Sequence, residues 1–130
     1  MEFVSYKIAK KLKEKGFSKL CFATYDKDGM LGYNYCQPTT IRAISFEECM
    51  SIHGSDDNCI DAPTISQVLK WLREEKEIMV EIPIIYIDDG IWEFTFRIQT
   101  KEFYDTSNYE YDTYEAAALT SIEYILDNLI

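Results

Sequence analysis

The clearest hydrophobic pattern in the chain lies between Ile78 and Gln99. Its second half alternates apolar and polar residues, and the apolar set is Trp92, Phe94, Phe96 and Ile98. A period of two is typical of a strand with one buried face. An apolar stretch at residues 78–87 precedes it, and Asp88-Asp89-Gly90 separates the two. The pattern predicts a β-hairpin whose aromatic row packs into the core beneath helices.

The turn decides which residues of this hairpin face each other. A two-residue Asp89-Gly90 loop places Pro83 opposite Phe96, whereas a three-residue loop with a left-handed Gly90 shifts the pairing by one. We expect the three-residue loop, because a slip by one residue moves a whole apolar row to the wrong face. It pairs Val80, Ile82, Ile84 and Tyr86 with Ile98, Phe96, Phe94 and Trp92, and Glu81 with Arg97. Pro83 lacks an N–H, so its strand should be an edge or lack a partner there.

The remaining patterns predict three helices and a second hairpin. The first helix runs from Ser5 to Lys15, and Gly16 ends it with Phe17 folded back on its last turn. The second hairpin turns at Lys27-Asp28-Gly29, and a disulfide between Cys21 and Cys36 would need its less favoured two-residue register. Capping-box sequences open two further helices, from Thr64 to about Lys76 and from residues 112–115 to about Leu129.

The predicted fold class is α+β, a single domain over residues 1–130. Its element order is helix, hairpin, helix, hairpin, helix, with an antiparallel sheet of about four strands and the helices on one face. Residues 37–61 are predicted as an irregular insert, with a possible short strand at 39–46 and a helical turn at 46–53. Residues 100–110 are predicted as a loop or a short extra strand.

Charge is unevenly distributed along the 130 residues. Residues 1–30 carry seven Lys and four acids, whereas residues 31–130 carry six Lys or Arg and 19 acids, within a net charge of −10. Such an acidic surface repels nucleic acid and anionic membranes, although solubility is its ordinary explanation. The chain shows no apolar run that could span a bilayer and no signal-peptide pattern, so we expect a cytoplasmic protein with free thiols.

Candidate chemistry is sparse. Cys49, His53 and Cys59, with Asp56 or Asp57, could form a metal site or a Cys–His nucleophile pair. Their spacing matches no standard Cys/His pattern, and idle thiols with one solvent-facing histidine are the ordinary interpretation. We therefore predict no metal, no cofactor and no catalytic residue.

One apolar surface stands out on the outer face of the main hairpin. It comprises Ile85, Ile87 and Ile91 near the turn, with Met79 at the far end. An apolar patch beside an edge strand is typical of a contact surface. Either a protein partner covers it, a homodimer being expected first, or the insert at 37–61 or the loop at 100–110 does.

Three stretches, residues 8–17, 62–74 and 111–117, together resemble one protein family. The most specific part is the Ala62-Pro63-Thr64 helix opening followed by Trp71-Leu72-Arg73-Glu74, and Tyr111-Asp112-Thr113-Tyr114-Glu115 adds to it. They resemble small uncharacterised proteins common in Bacteroidetes genomes and in their phages and prophages. The resemblance implies a mobile-element or gut-bacterial origin, and it brings no activity and no catalytic residue.

The leading functional hypothesis is a small, non-catalytic interaction protein of the phage or mobile-element type, acting by protein–protein contact. One alternative is an acidic DNA mimic that inhibits a nucleic-acid enzyme, motivated by the excess of acids after residue 30. The other is a small metal- or thiol-dependent enzyme at Cys49, His53 and Cys59.

Overall fold

The computed structural model describes residues 2–33, 59–87, 90–107 and 109–130. The short strand and helical turn predicted within residues 39–53 lie outside the described residues. The chain groups into two compact units, Met1–Thr64 and Ile65–Ile130. The single domain that the sequence predicts stays a prediction.

The first unit opens with helix α1, Tyr6–Glu14. The Ser5 side chain accepts a hydrogen bond from the Ile8 N–H at 3.2 Å, which caps the helix as predicted. At the other end Gly16 adopts φ +88°, and the Phe17 N–H donates to the Leu12 carbonyl at 3.0 Å. This glycine C-cap returns Phe17 onto the helix, where its ring is buried.

A three-stranded antiparallel sheet completes the first unit. Its strands are β1 (Ala23–Tyr25), β2 (Leu31–Tyr33) and β3 (Ile60–Ala62), in the order β2-β1-β3. Ala23 pairs with Tyr33 and Tyr25 with Leu31, and Gly29 has φ +78°, so the predicted three-residue turn is confirmed. Strand β3, which pairs with β1, was not predicted.

The core of the first unit lies between α1 and this sheet. Its apolar members include Val4, Ile8, Leu12, Phe17, Cys21, Ala23, Ile60 and Ala62. The Tyr25 hydroxyl donates to the Val4 carbonyl, and the Tyr6 ring meets the Tyr25 ring edge to face at 5.5 Å. Burial raises the pKa of Tyr25. These contacts join the segment before α1 to the central strand.

The second unit contains two helices, α2 (Ile65–Glu75) and α3 (Tyr114–Asn128). The Thr113 hydroxyl caps α3 by accepting from the Ala116 N–H at 3.0 Å. The buried residues of the two helices are Ile65, Val68, Trp71, Leu72, Ala117, Ala118, Ser121, Ile122, Ile125 and Leu126. The apolar stripe that helical spacing predicts for α2 comprises Ile65, Val68, Leu69 and Leu72. Trp71 is buried in addition to this stripe, and Leu69 is only half-buried.

The strands of the second unit confirm the predicted register of the main hairpin. They are β4 (Met79–Glu81), β5 (Ile84–Ile87), β6 (Ile91–Phe94), β7 (Arg97–Gln99) and β8 (Tyr104–Thr106). Val80 pairs with Ile98 and Tyr86 with Trp92, and Gly90 has φ +75°. Glu81 lies opposite Arg97, and their side chains meet at 3.8 Å. Strand β8 pairs with β7, so the extra strand considered for residues 100–110 is present.

Pro83 divides this hairpin into two ladders. The Thr95 N–H donates to the Pro83 carbonyl at 3.2 Å, but Pro83 has no N–H with which to return the bond. The ladder accordingly stops at Glu81 and resumes at Ile84, which gives one sheet ordered β4-β7-β8 and a separate pair β5-β6. The predicted local loss of pairing at Pro83 is confirmed.

The fold class is α+β, as predicted. Among the described residues, three helices accompany antiparallel sheets of three, three and two strands. The sequence predicts instead one sheet of about four strands, an expectation that did not allow for β3 or the division at Pro83 and that left β8 as one of two alternatives. No helix in the part of the chain that the structure describes is long and apolar enough to cross a bilayer.

Candidate contact surface on the main hairpin

The predicted buried row of the main hairpin leaves the core as it approaches the turn. Ile98 and Phe96 are buried, and Phe94 is half-buried. Trp92 is 58% exposed, and on β5 its partner Tyr86 at 60% and the nearby Ile84 at 57% are equally exposed. The expectation that the whole row is buried is therefore wrong for its end nearest the turn, at Trp92 and its partner Tyr86.

The residues that cover the buried half of the aromatic row explain where the row changes from buried to exposed. Phe96 stacks on Tyr111 with ring centroids 6.0 Å apart, and Phe94 meets the edge of Tyr114 at 6.4 Å. Tyr111 is held against β6 by two backbone hydrogen bonds with Phe94, of 2.8 and 2.7 Å. Among the described residues, these aromatic contacts on the row extend no further toward the turn than Phe94.

Ile84, Tyr86 and Trp92 form one exposed surface, called here the apolar patch. Their positions alternate along paired strands, so the three side chains lie on the same face. The rings of Tyr86 and Trp92 meet edge to face, with centroids 5.0 Å apart and planes at 65°. Such an aromatic pair is worth roughly 0.5–1.5 kcal/mol beyond the area that it buries. This contact therefore stabilises the relative orientation of the two rings while both stay exposed to water.

The backbone of β5 beside this patch faces outward. Because both backbone groups of Phe94 bond to Tyr111, Ile84 and Phe94 form a non-hydrogen-bonded pair of the antiparallel ladder. The pair two residues on, Tyr86 and Trp92, is of the same kind. The N–H and C=O groups of Ile84 and Tyr86 consequently point away from β6, and within the described residues β5 pairs only with β6. In the described part of the chain, strand β5 thus presents an open edge.

The opposite face carries the contact residues predicted from the sequence. Met79 is exposed and Ile85 is half-buried, whereas the side chains of Ile87 and Ile91 lie outside the described residues. Thr95 on this face is buried, because its hydroxyl lies under the carbonyls of Ser107 and Tyr109, at 3.5 and 3.2 Å. The chain after β8 therefore covers Thr95 on this face, and cover of the predicted patch itself by residues 100–110 stays a prediction.

A shallow groove remains beside the covered part. It has a volume of about 260 Å³, and its lining includes Pro83, Ile85, Thr95, Arg97 and Glu110. The predicted contact residue Ile85 lies in its wall. The groove and the apolar patch share Ile84, so both faces of β5 meet at the open edge.

Carboxylates gather on the groove side of β6. A side-chain hydrogen bond with Glu110 raises the pKa of Glu93, and desolvation and the negative charges of Glu110 and Asp112 raise it further. Glu110 and Asp112 flank Tyr111, whose backbone pairing with Phe94 brings them beside Glu93. Like charges held this closely make a cation a favourable neighbour.

The candidate thiol and metal residues are only partly described. Cys49, His53, Asp56 and Asp57 lie outside the described residues, and Cys59 is a buried free thiol. Cys21 is also buried and forms no disulfide, and desolvation together with the nearby Asp61 charge raises the pKa of its thiol. The raised pKa of Cys21 disfavours its reactive thiolate. Among the described residues, no group of three His, Cys, Asp or Glu side chains could hold a metal ion.

Comparisons with protein-family models, with curated proteins and with solved structures find no match for this chain.

The sequence pattern identified the hairpin but placed its contact surface on one face only. Tyr86 and Trp92 were assigned to the core because they continue the alternating row. One signal for their exposure is present in the chain: β5 and β6 continue beyond Pro83 to the acidic turn Asp88-Asp89-Gly90.

Proposed function

We propose that this is a small, non-catalytic interaction protein of the cytoplasm, of the phage or mobile-element type that the resemblance implies. Its contact surface is the end of the main hairpin, comprising the apolar patch and the open edge of β5. The observation that carries the proposal is the exposed Tyr86–Trp92 pair beside outward-facing backbone groups. Trp and Tyr dominate the energetics of protein interfaces, and open strand edges recruit extended partners.

The side chains of the apolar patch could be buried either in the fold or against a partner. Fully burying one large apolar side chain stabilises a fold by about 1.5–3 kcal/mol. Ile84, Tyr86 and Trp92 stay more than half exposed, so most of this free energy does not contribute to folding. The same burial is available to a partner without disturbing Phe96 or Ile98. The DNA-mimic and thiol-enzyme alternatives stay predictions, since neither explains the exposed aromatic pair.

Site-specific photo-crosslinking tests the proposal in cells that make the protein. A photoreactive amino acid is placed at Tyr86, and the control is the same amino acid at Tyr104, which is 61% exposed on β8. We expect position 86 to give one discrete cross-linked product, to a second copy or to another protein, and Trp92→Ala to remove it. No product from position 86, or the same products from both positions, would contradict the proposal.

A further inference from the structure

The contact surface also indicates the chemistry of its partner. We infer that the partner presents an extended lysine- or arginine-rich segment, which pairs with the open edge of β5 and lays cationic side chains beside Glu93, Glu110 and Asp112. This inference rests on the proposed function, because it names the occupant of the same surface.

The edge supplies the backbone half of the recognition. Ile84 and Tyr86 each direct one N–H and one C=O away from β6, so an added strand gains up to four backbone hydrogen bonds. Pro83 does not obstruct this edge, because the position of its missing N–H faces Thr95 across the hairpin. Strand addition of this kind draws affinity from main-chain bonds and specificity from alternate side chains.

The two faces of β5 then specify different side chains on the incoming strand. Successive side chains of a strand point to opposite faces. One set would lie against Ile84 and Tyr86, where apolar or guanidinium groups pack on aromatic rings. The other set would pass Ile85, which lies opposite Glu93 on β6. Long Lys or Arg stems can cover Ile85 while their charged ends reach the carboxylates.

The negative charge of the second unit favours a basic partner over an acidic partner or a second copy of this chain. Residues 65–130 carry five Lys or Arg and 14 Asp or Glu, a net charge of −9. Besides the hydrogen bond with Glu110 and desolvation, the negative charges of Glu110 and Asp112 raise the pKa of Glu93, and a neighbouring cation offsets those charges. A symmetric pairing of two copies through this edge would instead bring two sets of carboxylates together.

Three short peptides test the inference: one alternating Val with Lys, one alternating Val with Ser and one alternating Val with Glu. Their binding to the intact protein is followed by fluorescence polarisation of a labelled peptide. We expect the Lys peptide to bind at least about tenfold more tightly than the Ser peptide at low salt, with no measurable binding of the Glu peptide. The advantage should shrink at about 0.15 M salt, where the Debye length is about 8 Å.

Charge-matched variants locate the effect. Glu93→Gln with Glu110→Gln should make the Lys and Ser peptides bind alike, whereas the control Glu74→Gln with Glu102→Gln, at exposed positions of the same unit, should preserve the difference. Equal binding of both peptides to the wild type, or an equal effect of the two double variants, overturns the inference. If both peptides bind alike and Trp92→Ala abolishes both, the proposed function survives and its basic partner does not. If no peptide binds, the basic partner is excluded, and the cross-link at position 86 decides the function separately.

Discussion

Replacing Phe96 with Ala is expected to lower the free energy of unfolding by about 3–5 kcal/mol, whereas Trp92→Ala lowers it by less than about 1 kcal/mol. Both positions belong to the same aromatic row of the hairpin. Phe96 is buried and stacked on Tyr111, so its removal leaves a cavity in a packed region. Trp92 is mostly in water and loses chiefly its edge contact with Tyr86.

Urea denaturation followed by circular dichroism measures both losses. The two substitutions control for each other, because each removes an aromatic ring from the same face of the same hairpin. Similar losses for Phe96→Ala and Trp92→Ala would mean that the row is buried along its whole length. The apolar patch would then belong to the core.

Leu72→Ala should destabilise the second unit by about 2–5 kcal/mol. Leu72 on α2 is fully buried, and the helix face around it is built from large side chains that leave a void when one is truncated. The matched control is Leu69→Ala, on the same helix but half-buried. Both changes have the same small effect on helix propensity, so the difference between them isolates burial.

Differential scanning calorimetry of the two variants gives the comparison. We expect Leu69→Ala to cost about half as much as Leu72→Ala or less, since the residual cavity and the area lost are both smaller. A larger loss at Leu69 than at Leu72 would contradict the placement of α2. The sequence pattern predicts that Leu69 and Leu72 are both buried, whereas the structure buries only Leu72 fully. The measurement therefore also distinguishes between these two descriptions of α2.

Turn chemistry and capping residues made much of the fold predictable. Gly90 requires a left-handed backbone in a three-residue loop, and that one requirement sets every pair from Met79–Gln99 to Ile87–Ile91. Ser5 and Gly16 likewise determine the ends of α1. These are local effects, in which the residue that dictates the geometry lies within a few positions of its result.

Strand β3 shows why other parts were not predictable. Ile60-Asp61-Ala62 is three residues long with an acid at its centre, and it follows a polar segment. Nothing local marks such a stretch as a strand, yet it is buried by pairing with β1. Short strands of this kind are stabilised by distant partners, which periodicity does not identify.

The sequence predicted a candidate contact surface on the main hairpin, but it did not predict the exposed patch of Ile84, Tyr86 and Trp92. Alternation distinguishes the two faces of a hairpin, but it does not show how far the covering elements extend along either face. Tyr111 and Tyr114 cover the row as far as Phe94, and the chain at Ser107 covers Thr95 on the other face. Tyr86 and Trp92 near the turn are thus exposed, while Thr95 on the other face is covered.

Amide hydrogen exchange of β5, resolved by residue with NMR, tests the open edge most directly. In the free protein, the amides of Ile85 and Ile87 should be protected by their bonds across to β6, whereas those of Ile84 and Tyr86 should exchange rapidly because they point outward. Adding a partner that pairs with this edge should then slow Ile84 and Tyr86. Equal protection of all four amides in the free protein would show that the edge is already covered, and the account of the contact surface would be wrong.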